Sequence, residues 1–214
     1  MDSIASLRFA PEWQLVIMSI VIASGQFKQQ VFEFINKTSE ERVVVEVQKG
    51  DRYKGVIVLK KMNDCNIFFE VRVHEGAEAE LFVLVVGEGV EKGQLHTAMV
   101  HLEPNTRANV QVKAVLDGES KLTFDGLIKI LPHAQKTQSY LREDVLLLSK
   151  DAQSLGKPQL EIEANDVKAS HGSTIGRIDD DQLFYLASRG VNKEDGKKVI
   201  IEGFIESVLK QISN

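Results

Sequence analysis

The most regular feature of the chain is an alternation of apolar and polar side chains between about residue 40 and residue 164. In one example, Val71 lies between Glu70 and Arg72. The alternation recurs in residues 43–47, 67–73, 81–85, 110–116 and 160–163. A period of two is typical of β-strands that bury one face and expose the other. This part of the chain is therefore predicted to be one strand after another.

Turn signals separate the predicted strands. They include Lys49-Gly50-Asp51, Gly87-Glu88-Gly89 and Asp117-Gly118, and glycine and aspartate favour tight turns. No helical period lies between the strands, which disfavours a sheet built from βαβ units. A sandwich, a barrel and a solenoid all remain compatible with this pattern.

The pattern changes after Gly176, where two helices are predicted. Asp179 is a good N-cap for a helix over about residues 180–189, and Gly190 is a natural stop. A second helix is predicted after Asn192. Its apolar positions are Ile200, Ile201, Phe204, Ile205, Val208, Leu209 and Ile212. This stripe is expected either to cover the end of the β core or to dock a partner. Because the pattern changes after Gly176, we divide the chain into a β core (1–176) and a C-terminal helical segment (177–214).

Composition narrows the function classes. The 214 residues suffice for one domain with a core, and the formal net charge of −5 with scattered Lys and Arg argues against a nucleic-acid surface. The single cysteine, Cys65, excludes an intrachain disulfide and is expected to fill the core. A cytoplasmic location is expected, because reducing compartments disfavour disulfides.

The apolar run Leu15–Ala23 is the only membrane-like segment of the sequence. It is too short to span a bilayer, so no membrane partner is expected. We interpret the run as a buried strand. A signal peptide is the weaker alternative, since the residues before the run include Asp2 and Glu12 rather than a basic cluster.

Few residues carry recognisable chemistry. The chain has no P-loop, no G-x-S-x-G and no H-E-x-x-H motif. The acidic run 179–181 is better explained by helix capping than by calcium binding. His96 and His101 share one predicted strand at an odd spacing, so they should face opposite sides and not form a metal pair. His101 is expected to be a hydrogen-bonded structural residue.

His171 is the best single candidate for a functional site. It lies in the segment Ser170-His171-Gly172-Ser173-Thr174, which we interpret as a short polar turn. Imidazole is a good iron ligand at neutral pH. A cluster normally takes four protein ligands, so one histidine would need help from carboxylates such as Glu161 and Glu163 or from a second subunit.

Several separate motifs resemble the SufB/SufD family of iron–sulfur cluster assembly scaffolds. They are HLEPNTRA at 101–108, PQLEIEA at 158–164, NDVKASHGSTIG at 165–176 and LFYLASRG at 183–190. The resemblance covers about residues 95–212. It implies a right-handed parallel β-helix followed by two C-terminal helices, and a non-enzymatic component of cluster assembly.

The resemblance also implies partners and sites. The β core would dimerise, as a homodimer or with a SufB/SufD paralogue, and the C-terminal helices would dock a SufC-type ABC ATPase. Phe184, Tyr185 and Arg189 match family positions on those helices, and Phe204 lies in the apolar stripe. His171 would lie at a subunit interface and bind iron or a transient iron–sulfur cluster.

Two alternatives stay open at the level of sequence. Ala169 stands where the family frequently has a cysteine, and the chain is shorter than typical members, which suits a short regulatory or binding paralogue without a cluster. A β-helix carbohydrate-active enzyme is the second alternative. It is disfavoured because sugar-binding clefts need stacking aromatics and aromatic residues make up only 7% of the chain.

Overall fold

The computed structural model describes residues 18–22, 27–35 and 40–212. Within the apolar run Leu15–Ala23, Met18–Ile22 forms a strand, and the rest of the run lies outside the described residues, as do Asp2 and Glu12. The strands are β1 Met18–Ile22, β2 Phe27–Ile35, β3 Glu40–Val47, β4 Arg52–Lys60, β5 Asn63–Val73, β6 Glu78–Gly87, β7 Lys92–His101, β8 Arg107–Leu116, β9 Lys121–Ile130, β10 Thr137–Leu147, β11 Gln153–Ile162 and β12 Val167–Arg177.

The strands coil into a parallel β-solenoid, as the resemblance implied. Odd-numbered strands form one sheet in the order β1-β3-β5-β7-β9-β11, which we call sheet A. Even-numbered strands form sheet B, in the order β12-β10-β8-β6-β4-β2. Consecutive strands thus alternate between the sheets, and every hydrogen-bonded neighbour is one coil away. Sandwich and barrel are excluded for the described residues.

The alternation of the sequence becomes rows of stacked apolar side chains inside the solenoid. Val45, Val71, Met99 and Ile128 are register partners on successive strands, and all four are fully buried. Cys65 is 1% exposed in the same core, as expected. Because apolar residues stack on apolar residues, each coil covers the apolar row of the coil before it. The core therefore continues along the solenoid axis.

One column of corners explains the turn residues. Gly50, Gly76, Asn105 and Lys136 all have positive φ, and each donates its backbone N–H to a carbonyl of the next coil. Glycine and asparagine tolerate this left-handed conformation best. The Pro104-Asn105 pair of the HLEPNTRA motif therefore serves the corner, since Pro104 also accepts from the N–H of Gly76.

Two helices follow the last strand: α1 Asp180–Ser188 and α2 Lys193–Ile212. The Asp179 side chain accepts from the N–H of Asp181, and Gly190 has a φ of 86°, so both predicted helix boundaries are confirmed. Asn192 caps α2 by accepting from the N–H of Asp195 at 2.9 Å. In the described part of the chain, helix occurs only after residue 176.

The apolar stripe of α2 lies on the outer face of sheet B. Ile201, Ile205 and Val208 pack against strands β4, β6 and β8. Their partners include Val56, Leu84, Val86, Val115 and Leu146. The stripe thus packs on the β core, as one of the two alternatives expected, but on the outer face of sheet B rather than on the end of the core. The physical reason is that residues 56–59 and 83–86 are apolar on both faces of the sheet, and the outward set must also be covered.

Candidate functional site

The solenoid has an open end at its last coil. Strand β11 pairs only with β9, and β12 only with β10, so in the described residues each leaves one edge unpaired. The inward row is correspondingly uncovered there. Ile175 is 44% exposed, whereas its register partner one coil earlier, Val145, is 3% exposed. Alternation at 160–163 predicted a buried row, but Ile162 is 41% exposed, because no further coil covers it in the part of the chain that the structure describes.

His171 lies at this open end, in the middle of β12. The interpretation of its segment as a polar turn is wrong, since residues 167–177 pair with β10 along their whole length and His171 lies beside Leu141. Glycine, serine and threonine favour turns locally. A continuous parallel partner nevertheless supplies backbone hydrogen bonds that a turn could not match.

The His171 side chain belongs to the inward row but is exposed. Ala169 and Val167, two and four positions before it, pack against the core, so strand alternation places His171 on the same face. Among the described residues, no hydrogen bond or ion pair engages its imidazole. Both ring nitrogens are therefore available to a ligand that approaches the end of the solenoid.

A buried carboxylate lies next to this position. Glu143 on β10 is 0% exposed and is the register partner of Ser173. Its Oε2 accepts a hydrogen bond from Ser173 Oγ at 2.6 Å, and its Oε1 has no partner among the described residues. Burial raises the pKa of Glu143, while the Ser173 hydrogen bond opposes that rise. The sequence analysis missed this residue, although a charge at the inward parity between Leu141 and Val145 was a usable signal.

Gly156 on β11 completes the surroundings of Glu143. A Cβ atom at this position would overlap the Glu143 carboxylate, so the carboxylate reaches across the interior from sheet B to sheet A. Glu161, in contrast, lies on the outward parity of β11, where it pairs with Lys129 at 2.8 Å. Of the two carboxylates named from sequence, Glu161 is thus directed away from His171, and Glu163 follows the end of β11, exposed.

His101 and His96 behave as expected from their odd spacing. His101 is 0% exposed, and its Nδ1 lies 2.8 Å from Thr106 Oγ1, which in turn lies 2.8 Å from Thr137 Oγ1. Burial lowers the pKa of His101 to about 4, so the ring is neutral. His96 lies on the outer face of sheet A, stacked on Phe68 at 4.3 Å. His101 is thus a structural residue.

The outer face of sheet A carries a shallow groove of about 230 Å³ beside His96. The carboxylates that line it are engaged, because Asp125 accepts from Gln159 at 2.7 Å and Glu70 pairs with Arg72 at 2.6 Å. A glycosidase would need a free pair of carboxyl groups. The groove therefore gives no support to the carbohydrate-active alternative.

The four docking candidates fall into two groups. Phe184 is 76% exposed and Tyr185 is 58% exposed on α1, and the guanidinium of Arg189 lies 5.4 Å from the Tyr185 ring. Phe204, in contrast, is half-buried against sheet B, with Lys113 Nζ 4.4 Å from its ring. The first three form an exposed aromatic surface, which we call the α1 patch, and Phe204 belongs to the helix–sheet contact.

Two absences concern the described residues alone. No group of three or more His, Cys, Asp or Glu side chains there is arranged to hold a metal ion. No helix in the described ranges is long and apolar enough to cross a membrane.

Comparison with known proteins identifies relatives. The model of the SufBD core domain, of SUF system FeS cluster assembly, matches residues 36–204. The iron–sulfur cluster assembly protein SufD of Escherichia coli K12 is 48% identical over 92 residues, which are 43% of this chain and 22% of that protein. A SufBD family protein of Synechocystis is 29% identical over 142 residues, which are 66% of this chain and 30% of that protein.

The chain spans less than a third of the length of these relatives. A SufBD family protein of Mycobacterium tuberculosis H37Rv shows the same relation, with 32% identity over 114 residues that make up 14% of its length. The family model nevertheless covers most of this chain, including the open end and α1. The solenoid and the match over residues 36–204 agree, and the chain belongs to the SufBD family of iron–sulfur cluster assembly proteins.

Proposed function

We propose that the chain is a non-enzymatic scaffold or accessory subunit of cytoplasmic iron–sulfur cluster assembly, and that His171 binds iron or a transient cluster at a subunit interface. The observation that carries the proposal is the exposed imidazole on the inward row of the last coil, which makes no hydrogen bond or ion pair with the described residues. A histidine that served only the fold would be buried and hydrogen-bonded, as His101 is. Iron is the cargo of this site, and a partner subunit supplies further ligands.

The open end is the proposed dimer surface. The edges of β11 and β12 that no described strand pairs with present backbone N–H and C=O groups to which another strand can bind. The exposed inward side chains Ile162 and Ile175 add apolar area that association would bury. The partner is a second copy of the chain or a SufB/SufD paralogue, and His171 then lies inside the interface.

The α1 patch is the proposed docking site for a SufC-type ABC ATPase. Exposed aromatic and arginine side chains are frequent anchors of protein interfaces. Phe184 is more exposed than most large apolar residues of the described chain, and Tyr185, also exposed, has the Arg189 guanidinium 5.4 Å from its ring. The helix is short, and its buried side chain, Leu183, leaves the aromatic face free.

A pull-down with a co-expressed SufC-type ATPase, followed by anaerobic iron and sulfide analysis, tests both parts. We expect Phe184→Ser to lose the ATPase, and His171→Ala to retain the ATPase but lose iron. Val90→Ser is the matched control for Phe184, because Val90 is 73% exposed in the turn between β6 and β7. Equal iron content in wild type and His171→Ala would contradict the proposal. ATPase binding without iron in the wild type would instead support the regulatory paralogue.

A further inference from the structure

The starting observation is that the carboxylate of Glu143 is buried with one oxygen unused. Its Oε1 has no hydrogen-bond partner in the described residues, although the side chain is fully buried. A buried carboxylate is costly unless it is paired, so such a group needs a reason. Apolar residues occupy the neighbouring inward positions of β10, Leu141 and Val145, and would fill this position at lower cost.

The surroundings hold the carboxylate toward the open end. Ser173 Oγ donates to Oε2 from β12, the last strand of sheet B, at 2.6 Å. Gly156 leaves room for the carboxylate at β11, the last strand of sheet A, where any side chain would overlap it. Glu143 thus lies one coil inside the solenoid, but its charged group is held by residues of the last coil.

His171 lies next to Ser173 in the same inward row. Alternate residues of a strand are about 6.6 Å apart. The Ser173 hydroxyl contacts the Glu143 carboxylate directly. Because the imidazole is exposed and unbonded, it can turn toward the carboxylate without breaking another contact. The end of the solenoid therefore brings one nitrogen donor and one oxygen donor to a common entrance.

We propose that Glu143 is a second ligand for ferrous iron beside His171, and that Ser173 positions its carboxylate. This inference rests on the proposed function, since it names a further ligand at the same end. Iron(II) accepts mixed imidazole and carboxylate ligands, and the divalent cation supplies the positive charge that the buried carboxylate lacks. Two ligands from one chain leave coordination positions open for a partner subunit or for sulfide.

Cobalt(II) is the probe for the test, because its visible spectrum reports ligand type and it does not need anaerobic handling. The variant Glu143→Cys replaces the proposed oxygen donor by sulfur. We expect it to give a thiolate-to-cobalt charge-transfer band that the wild type lacks. Glu161→Cys is the matched control, since Glu161 lies on the outward parity of the same end. The native Cys65 is present in the wild type and in both variants, so it cannot account for a band that appears only in Glu143→Cys.

Loss of function in the same assay gives the second measurement. We expect Glu143→Gln to weaken cobalt binding by at least about tenfold, and Ser173→Ala to weaken it by a smaller factor, because a positioning residue acts through the ligand. Glu161→Gln should bind as the wild type does. Thermal melts of all variants verify that the fold is retained, which the near-identical size of glutamate and glutamine favours.

The outcomes separate this inference from the proposed function. No charge-transfer band in Glu143→Cys, or unchanged cobalt affinity in Glu143→Gln, would overturn the role of Glu143 and leave the iron content of the ATPase complex to decide the proposed function. A band in Glu143→Cys that disappears in the double variant with His171→Ala would establish that both residues bind one ion. A wild-type chain that binds no cobalt at millimolar concentration would also overturn the inference.

Discussion

The two histidines His101 and His171 have the same side chain but lie in opposite surroundings. His101 is enclosed at a corner and bonded to Thr106, and its pKa is lowered to about 4 by burial. His171 is exposed and unbonded among the described residues. Sequence motifs contain both, so only their position relative to the solenoid axis separates a structural histidine from a candidate ligand.

The buried His101 predicts an acid sensitivity of the fold. Its pKa in the folded state, about 4, lies below the ordinary value of 6.5, so the unfolded chain binds a proton first as the pH falls. The free energy of unfolding is therefore expected to decrease between pH 6.5 and pH 4, by about 3 kcal/mol from this residue. Urea denaturation at several pH values in this window measures the slope.

His101→Asn isolates the contribution, because the amide can still donate to Thr106 but does not titrate. The variant should be less stable at pH 7 and should lose less stability on acidification than the wild type. His133→Asn, at an exposed turn position, is the control and should keep the wild-type slope. An identical slope in His101→Asn and wild type would mean that other groups cause the acid sensitivity.

At the scale of elements, helix α2 illustrates how an apolar face finds its surface. The apolar stripe of α2 was predicted from the spacing of its residues. That spacing does not indicate which surface the stripe covers. Residues 56–59 of β4 and 83–86 of β6 are apolar without interruption, which leaves outward-facing apolar side chains on sheet B. These outward residues, rather than the open end, are the ones that α2 buries.

This packing predicts an order of stability among charged variants of α2. Val208 is 0% exposed at the helix–sheet contact, so Val208→Asp should lower the free energy of unfolding by at least about 3 kcal/mol. Phe204→Asp should cost less, because Phe204 is only half-buried and Lys113 lies 4.4 Å from its ring, where it can pair with the new carboxylate. Urea denaturation followed by circular dichroism measures both values.

The exposed Glu206 provides the control, and Glu206→Gln should lie within about 0.5 kcal/mol of the wild type. A larger effect for Phe204→Asp than for Val208→Asp would contradict the described packing of the helix. Loss of ATPase binding in a Phe204→Asp chain of normal stability would assign Phe204 to docking instead.

At the scale of the whole molecule, a solenoid stacks similar coils, and the last coil has no further coil of the solenoid to cover it. Each coil covers the one before it, and among the described residues nothing pairs with the outer strand edges of the last coil or covers its inward row. In the described residues, α2 lies along sheet B rather than across the open end, and α1 packs mainly against α2. The exposed fractions of Ile162 and Ile175 therefore follow from the position of the coil rather than from their local sequence.

The open end predicts an association that a single charge can prevent. Ile175→Arg should fold normally, because Ile175 is already 44% exposed, but should reduce the mass measured by light scattering from dimer to monomer. Val90→Arg, at an exposed turn, should leave the mass unchanged. A dimer in both variants would place the interface elsewhere, and a monomeric wild type would require a paralogue as partner.

The strands, the limits of α1 and the family of this protein can be predicted from its sequence alone. Period-two alternation predicts the strands, Asp179 and Gly190 predict the limits of α1, and both signals are local, so they need no knowledge of distant contacts. The motifs around His101 and His171 identify the family. Even the surface that α2 covers had a local signal, because the apolar runs of β4 and β6 are uninterrupted. The apolar stripe of α2 by itself did not reveal that surface.

The tertiary structure decided what depends on neighbours far away in the chain. The segment 170–174 has the composition of a turn, but pairing with β10 makes it a strand, because backbone hydrogen bonds to a partner about thirty residues away outweigh local preference. The same pairing places Ser173 on Glu143, and the absence of a further coil in the described residues exposes His171. Both features depend on which residue of one coil lies above which residue of the next, and only the tertiary structure determines that.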